Sequence, residues 1–107
     1  MSLRYEVGKR GDIAAVRLTG TIDRDAGDAL AAAYAAAESA SPAVIELDFH
    51  AVDYVNSTGI ALIVSLLARA RAQHVTMRAV GLTAHYQHIF EITRLSDFIE
   101  IVQPIPH

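Results

Sequence analysis

The residues most suited to chemistry lie in one short segment, Asn56-Ser57-Thr58-Gly59, directly before a strongly apolar run. Ser and Asn are common at helix starts, so Ser57 could simply be an N-cap whose oxygen accepts a backbone N–H of the first turn. The free N–H groups and the positive end of a helix dipole also favour an anion there. A phosphate on Ser57 would therefore be tolerated, and it would add about two negative charges to the surface.

Ser57 could instead be the nucleophile of a serine hydrolase, which requires a histidine base within reach of the hydroxyl. The segment is not a Gly-x-Ser-x-Gly elbow, because Val55 and Gly59 stand two residues away on either side. Nothing in the sequence brings a histidine to Ser57; the five histidines are His50, His74, His85, His88 and His107. We therefore predict that the chain is not an enzyme.

Two further groups of residues are possible metal ligands. His85 and His88 are three residues apart and could share a helix face, but the further ligands of a zinc site are not evident. Asp23, Asp25 and Asp28 lack the calcium-loop pattern with its terminal Glu, and helix capping explains them. We predict neither a metal site nor a cofactor.

The composition predicts one globular domain over residues 1–107. With 52% hydrophobic and 20% charged residues, the chain can bury a single core. It has no cysteine, which excludes disulfides and thiolate chemistry, and its net charge of −3 with no dense basic stretch argues against direct nucleic-acid binding. The N-terminus has no apolar leader, and the apolar run 60–68 is too short to span a bilayer. A cytoplasmic location without membrane insertion is expected.

The hydrophobic pattern predicts an α/β domain that opens with a hairpin. Gly20 is expected to end the second strand, and Asp23 or Asp25 to cap the first helix, as Thr83 caps the third. The predicted strands are 3–7, 13–18, 43–49, 75–80 and 98–102, and the predicted helices are 26–39, 57–73 and 83–93. Pro104 and Pro106 are expected to close the chain.

The strands alternate apolar and polar residues, whereas strands covered on both faces read as continuous apolar runs. We therefore predict a mixed open sheet with helices packed mainly on one face. Arg17, Glu46 and Arg78 should lie on the opposite face. The residues expected beneath the helices are Ile45, Leu47, Val75 and Met77.

Three pieces of the sequence resemble the signature of the STAS family, and they are closest to bacterial anti-sigma factor antagonists. Asn56-Ser57-Thr58-Gly59 is similar to the family's Asp-Ser-Ser/Thr-Gly run after the third strand. Leu18-Thr19-Gly20-Thr21-Ile22-Asp23 looks like its strand-ending Leu-x-Gly-x-Leu-Asp, and residues 79–82 followed by 89–95 look like its last helix. The resemblance covers nearly the whole chain and implies a single STAS-type domain.

The resemblance also implies a non-enzymatic switch that sequesters an anti-sigma factor, itself a serine kinase, and so frees a sigma factor. Ser57 matches the family's phosphorylated serine. The residues implied to bind the partner are Asp23, Asn56, Thr58, Gly59 and Ile60. Two departures stand out, because the family's aspartate is Asn56 here and its Leu-Gly pair is Ile60-Ala61.

Three alternatives stay open at this point. The chain could be a phosphate-independent STAS adaptor of a lipid-transport or larger signalling complex. It could be a monomer or a homodimer. The apolar helix after Ser57 could be wholly buried, or its first turn near Ile60 and Ile63 could form a partner-docking patch.

Overall fold

The computed structural model describes residues 3–102, which form one five-stranded sheet and three α-helices. The strands follow one another in the order β1-β2-β3-β4-β5; β1 runs antiparallel to β2, and the other neighbours are parallel. The elements are β1 (Arg4–Arg10), β2 (Ile13–Ile22), α1 (Gly27–Glu38), β3 (Val44–Val55), α2 (Ser57–Ala72), β4 (Thr76–Val80), α3 (Ala84–Ile92) and β5 (Glu100–Ile101). The predicted α/β fold with an N-terminal hairpin is confirmed. Pro104 and Pro106 lie outside the described residues.

The core lies on one face of the sheet, where residues from all three helices meet alternate residues of the strands. Leu30, Ile63 and Phe90, one from each helix, are 2% exposed or less. Val75 is half-buried and packs against the same core. The strand residues beneath the helices include Ala14, Val16, Leu18, Ile45, Leu47, Met77 and Ala79. The one-sided arrangement follows from the period-2 pattern, since burying a large apolar side chain is worth about 2 kcal/mol.

The opposite face of the sheet carries charged side chains that pair across the strands. Glu46 forms ion pairs with Arg10 at 3.3 Å and with Arg78 at 3.5 Å, and Arg78 also forms an ion pair with Glu100 at 3.2 Å. Glu46 is only 9% exposed, and its ion-pair partners come from the strands β1 and β4. Arg17 is exposed on the same face. The predicted placement of Arg17, Glu46 and Arg78 is therefore confirmed.

Both central strands are longer than the sequence predicts. β2 does not end at Gly20 but continues to Ile22, with a register shift beside Gly20, whose φ is +112°. β3 continues to Val55, where a loop was predicted from residue 50 onward. The two extensions pair with each other, Thr21 with Tyr54 and Ile22 with Val55, and this pairing supplies the backbone hydrogen bonds that stabilise them. The extension brings the end of β2 beside the start of α2.

Two smaller differences concern the start of α1 and the last strand. A 3₁₀ turn, Arg24–Ala26, precedes α1, and Asp23 caps it by accepting from the Asp25 N–H at 2.9 Å, so Asp25 is not a cap. A second 3₁₀ turn, Leu95–Asp97, takes up chain before β5, which is shorter than the predicted 98–102. Thr83 caps α3 as predicted, accepting from the Tyr86 N–H at 3.2 Å.

Polar contacts connect the C-terminal half of α2 to α1. The Tyr34 hydroxyl donates to the Gln73 side chain at 2.8 Å, and burial raises the pKa of Tyr34. The Arg69 guanidinium lies 4.6 Å from the centre of the Tyr34 ring and donates to Glu38 at 3.1 Å. These contacts fix the far end of the helix that begins at Ser57.

Candidate functional site

The junction between β3 and α2 presents Ser57 as the first residue of a long helix. The cap is Asn56 rather than Ser57, because Asn56 has the extended backbone of an N-cap and its side chain accepts from the Gly59 N–H at 2.8 Å. The prediction of Ser57 as the cap was one residue too late. Ser57 is exposed at the helix N-terminus. Its hydroxyl is therefore not committed to capping.

Gly59 holds the first turn of α2 against the end of β2. A Cβ built on Gly59 would lie 2.0 Å from the Ile22 carbonyl oxygen and 2.7 Å from the carbonyl carbon. The Asn56 N–H donates to the same carbonyl oxygen at 3.2 Å. No side chain fits between the helix and this backbone, which explains why glycine stands at this position. Asp23 directly follows Ile22, so the close approach also brings the 3₁₀ turn before α1 to the site.

The residues that the resemblance implied for partner binding are gathered at this junction, but they are not equally accessible. Ser57 and Thr58 are exposed, whereas Asn56, Ile60 and Asp23 are half-buried. Gly59 is buried, so its contribution to this surface is to let α2 approach β2. Ile63, also considered for a docking patch, is fully buried in the core, since it lies on the helix face that packs on the sheet.

Tyr86 is a residue of the site that the sequence did not reveal. Its hydroxyl accepts a hydrogen bond from the Val55 N–H at 3.0 Å. The paired part of β4 ends opposite Asp48, so on that side β3 continues to Val55 without a neighbouring strand. The Tyr86 hydroxyl supplies the hydrogen-bond acceptor that a neighbouring strand would otherwise provide. It thereby fixes the backbone one residue before the cap. A residue of α3 thus helps to position the start of α2.

Replacing Tyr86 with phenylalanine is expected to lower the free energy of unfolding by about 1 kcal/mol, because the Val55 N–H loses its partner. Amide exchange at Val55 and Asn56 should also speed up, measured by NMR. Tyr54→Phe is the matched control, since Tyr54 is 53% exposed. An unchanged exchange rate at Val55 would show that the Tyr86 hydroxyl does not hold the junction.

Loss of the cap gives a second expected result. Asn56→Ala should destabilise the protein by about 1 kcal/mol, because the Gly59 N–H loses its side-chain acceptor. Asn56→Asp should keep the stability within about 0.5 kcal/mol, since aspartate is an equally good cap. Urea unfolding of both variants measures the difference. Equal loss in the two variants would contradict the capping role of the Asn56 oxygen.

Two of the histidines weighed for chemistry contact side chains other than Ser57. The His50 ring nitrogen Nδ1 is 2.7 Å from an oxygen of Asp48, and His85 packs edge-on against Tyr86. Within residues 3–102 no hydrogen bond joins a histidine to Ser57, and no three His, Cys, Asp or Glu side chains gather as metal ligands. None of the helices in this part of the chain combines the length and apolarity needed to cross a membrane.

Comparison with known proteins supports the resemblance seen in the sequence. Residues 6–103 match the family model described as Mlab, STAS domain. The chain belongs to the STAS domain family. This STAS domain is 36% identical over 58 residues to the anti-sigma-B factor antagonist of Listeria monocytogenes. That alignment covers 54% of the domain and 51% of the relative, so it spans about half the length of the curated protein.

Solved structures share the fold of this STAS domain over nearly its full length. An anti-sigma factor antagonist from Mycobacterium paratuberculosis superposes with a TM-score of 0.79 at 18% identity, covering 96% of this chain and 87% of that one. The antagonist SpoIIAA superposes in its unphosphorylated form with a TM-score of 0.71 at 14% identity, over 94% and 89% of the two chains. The phosphorylated Bacillus SpoIIAA gives 0.68 at 15% identity, over 92% and 91%. These likenesses establish the STAS fold.

Proposed function

We propose that this STAS domain is an anti-sigma factor antagonist, a non-enzymatic switch controlled at Ser57. In its unmodified form it binds an anti-sigma factor through the surface around Ser57 and thereby frees a sigma factor. The anti-sigma factor acts as the kinase, and phosphorylation of Ser57 releases it. The observation that carries the proposal is an exposed serine hydroxyl, left free by the Asn56 cap, on a backbone held by Ile22 and Tyr86.

The geometry at the helix start suits a phosphate acceptor. The Ser57 hydroxyl oxygen would attack the γ-phosphorus of ATP bound to the partner, the bond to ADP would break, and a base on the partner would take the hydroxyl proton. The product is tolerated in the free domain because the helix N-terminus stabilises negative charge. Folding should therefore survive phosphorylation, and the effect should fall on the interface.

The same charge disfavours the complex. An interface must be dried on docking, and an unpaired charge left in it costs about 2–5 kcal/mol. Half-buried Asp23 adds a carboxylate on the neighbouring loop. Asn56 keeps the cap while removing the negative charge that aspartate would place beside the serine. Release on phosphorylation is thus expected from Ser57 together with Asp23, without an acidic residue at position 56.

The proposed partner also implies where in the cell the domain acts. Sigma factors act on RNA polymerase inside the cell, so the proposal includes a cytoplasmic location. The proposed contact is with the anti-sigma factor alone, with neither nucleic acid nor lipid as a direct ligand.

The proposal is tested by incubating the purified domain with ATP and each anti-sigma kinase encoded in the same genome. We expect one phosphate, mapped to Ser57 by mass spectrometry, with none on Ser57→Ala and normal incorporation on Thr58→Ala. Calorimetry should show binding of the unmodified domain and at least about hundredfold weaker binding of the phosphorylated form. Equally tight binding of the unmodified and the phosphorylated domain would instead favour a phosphate-independent STAS adaptor.

A further inference from the structure

An apolar groove lies between α2 and the chain that follows α3. It has a volume of about 350 Å³. Leu67 and Leu95 are buried, while Val64 and Phe98 are 43% and 51% exposed. The lining residues are Val64, Leu67, Ala68, Arg71, Thr93, Arg94, Leu95 and Phe98. Large apolar side chains left open to water in one concave patch are typical of an interaction site.

The rim of this groove carries a positive charge that the domain itself does not neutralise. Arg69 pairs with Glu38, and Arg94 pairs with Asp97 at 3.1 Å. Arg71 lies 5.1 Å from the centre of the Phe98 ring, and across residues 3–102 no carboxylate comes within ion-pair distance of it. The groove therefore combines an apolar lining with one guanidinium available to a carboxylate. The groove is therefore complementary to a partner segment in which an apolar side chain stands beside an acidic one.

The groove continues the surface that begins at Ser57. Ser57, Ala61, Val64 and Ala68 are all exposed, and their spacing puts them on one side of α2. Eleven residues of helix rise about 16 Å. A standard interface buries about 800 Å² on each partner, which is a disc of about 16 Å radius. A protein docked with Ser57 at the centre of its footprint therefore reaches the groove.

We propose that the groove is the second anchor of the same anti-sigma factor. An apolar side chain of that protein fills the space between Val64 and Phe98, and a carboxylate beside it pairs with Arg71. The inference rests on the proposed function and deepens it, because it assigns binding affinity and phosphorylation control to different parts of the surface. Desolvated apolar contacts dominate binding energy, so the groove supplies affinity, while Ser57 at the polar end supplies the switch.

Binding to the cognate anti-sigma kinase tests the proposal with pairs of matched variants. Ala68→Glu fills the groove with a charge and should weaken binding at least about tenfold. Ala36→Glu makes the same change on the exposed side of α1 and should alter affinity less than about twofold. Arg71→Glu should weaken binding at least about tenfold, whereas Arg71→Lys should stay within about threefold of wild type. Thermal melts confirm that each variant is folded.

The outcomes separate the groove from the switch. If Ser57→Asp loses the partner while Ala68→Glu and Arg71→Glu bind like wild type, the groove is not an anchor and the proposed function stands. If Arg71→Glu binds like wild type but Ala68→Glu does not, the acidic neighbour is wrong and the apolar contact stands. If no anti-sigma kinase of the same genome binds the wild-type domain, the proposed function fails, and the inference built on it fails as well.

Discussion

Gly59→Ala is expected to lower the free energy of unfolding by about 3 kcal/mol, because the new methyl group would meet backbone rather than a movable side chain. The built Cβ lies 2.0 Å from the Ile22 carbonyl oxygen, and that oxygen also accepts the Asn56 N–H. Relief requires α2 to move away from β2, which strains that hydrogen bond. The loss should exceed the gain of up to about 1 kcal/mol that alanine brings to a helix. A fall in melting temperature of roughly 15 °C would follow for a domain of this size.

Gly27→Ala is the matched control for this substitution. Gly27 begins α1 with helical backbone angles, and a Cβ there would lie 3.6 Å from a Leu62 methyl, an ordinary contact. Its stability should stay unchanged or rise by up to about 1 kcal/mol. Calorimetric melts of both variants measure the contrast. A Gly59→Ala protein that melts with the wild type would show that α2 does not sit this close to β2.

The start of α2 could be predicted from the sequence because the local pattern was strong. An apolar run preceded by capping residues can hardly be anything but a helix start, and the serine lies there by position alone. The choice between Asn56 and Ser57 as the cap could not be made in this way. Both side chains are good caps, and only the extended backbone of Asn56 decides which one accepts the Gly59 N–H.

The features that the sequence did not reveal depend on residues distant along the chain. Gly20 in β2 and Asp53 in β3 are poor strand residues, and those segments are strands because they pair with each other. Tyr86 meets Val55 across 31 positions, and no local pattern predicts that hydrogen bond. The apolar groove has the same cause, since α2 and the turn after α3 meet only in the folded domain.

Ser57→Asp is expected to weaken binding of the proposed anti-sigma factor partner about hundredfold or more, while leaving the domain as stable as the wild type. The carboxylate enters a surface that must lose water on docking, and an unpaired charge there costs about 2–5 kcal/mol. In the free domain the same charge lies at the N-terminus of α2, where the helix dipole stabilises it by about 0.3–1 kcal/mol. The substitution therefore acts on binding rather than on folding.

Ser57→Ala removes the hydroxyl without adding a charge, so it separates the two effects of Ser57→Asp. Because Asn56 supplies the cap, alanine removes no capping bond and favours the helix, so stability should be unchanged or slightly higher. Its affinity should stay within about threefold of the wild type, since a small neutral side chain leaves the interface dry. Ala36→Glu controls for the added negative charge, because it lies on the exposed side of α1. Calorimetry against the anti-sigma factor, with melts in parallel, separates the two effects. Equal affinities of wild type, Ser57→Asp and Ser57→Ala would mean that charge at Ser57 does not control docking.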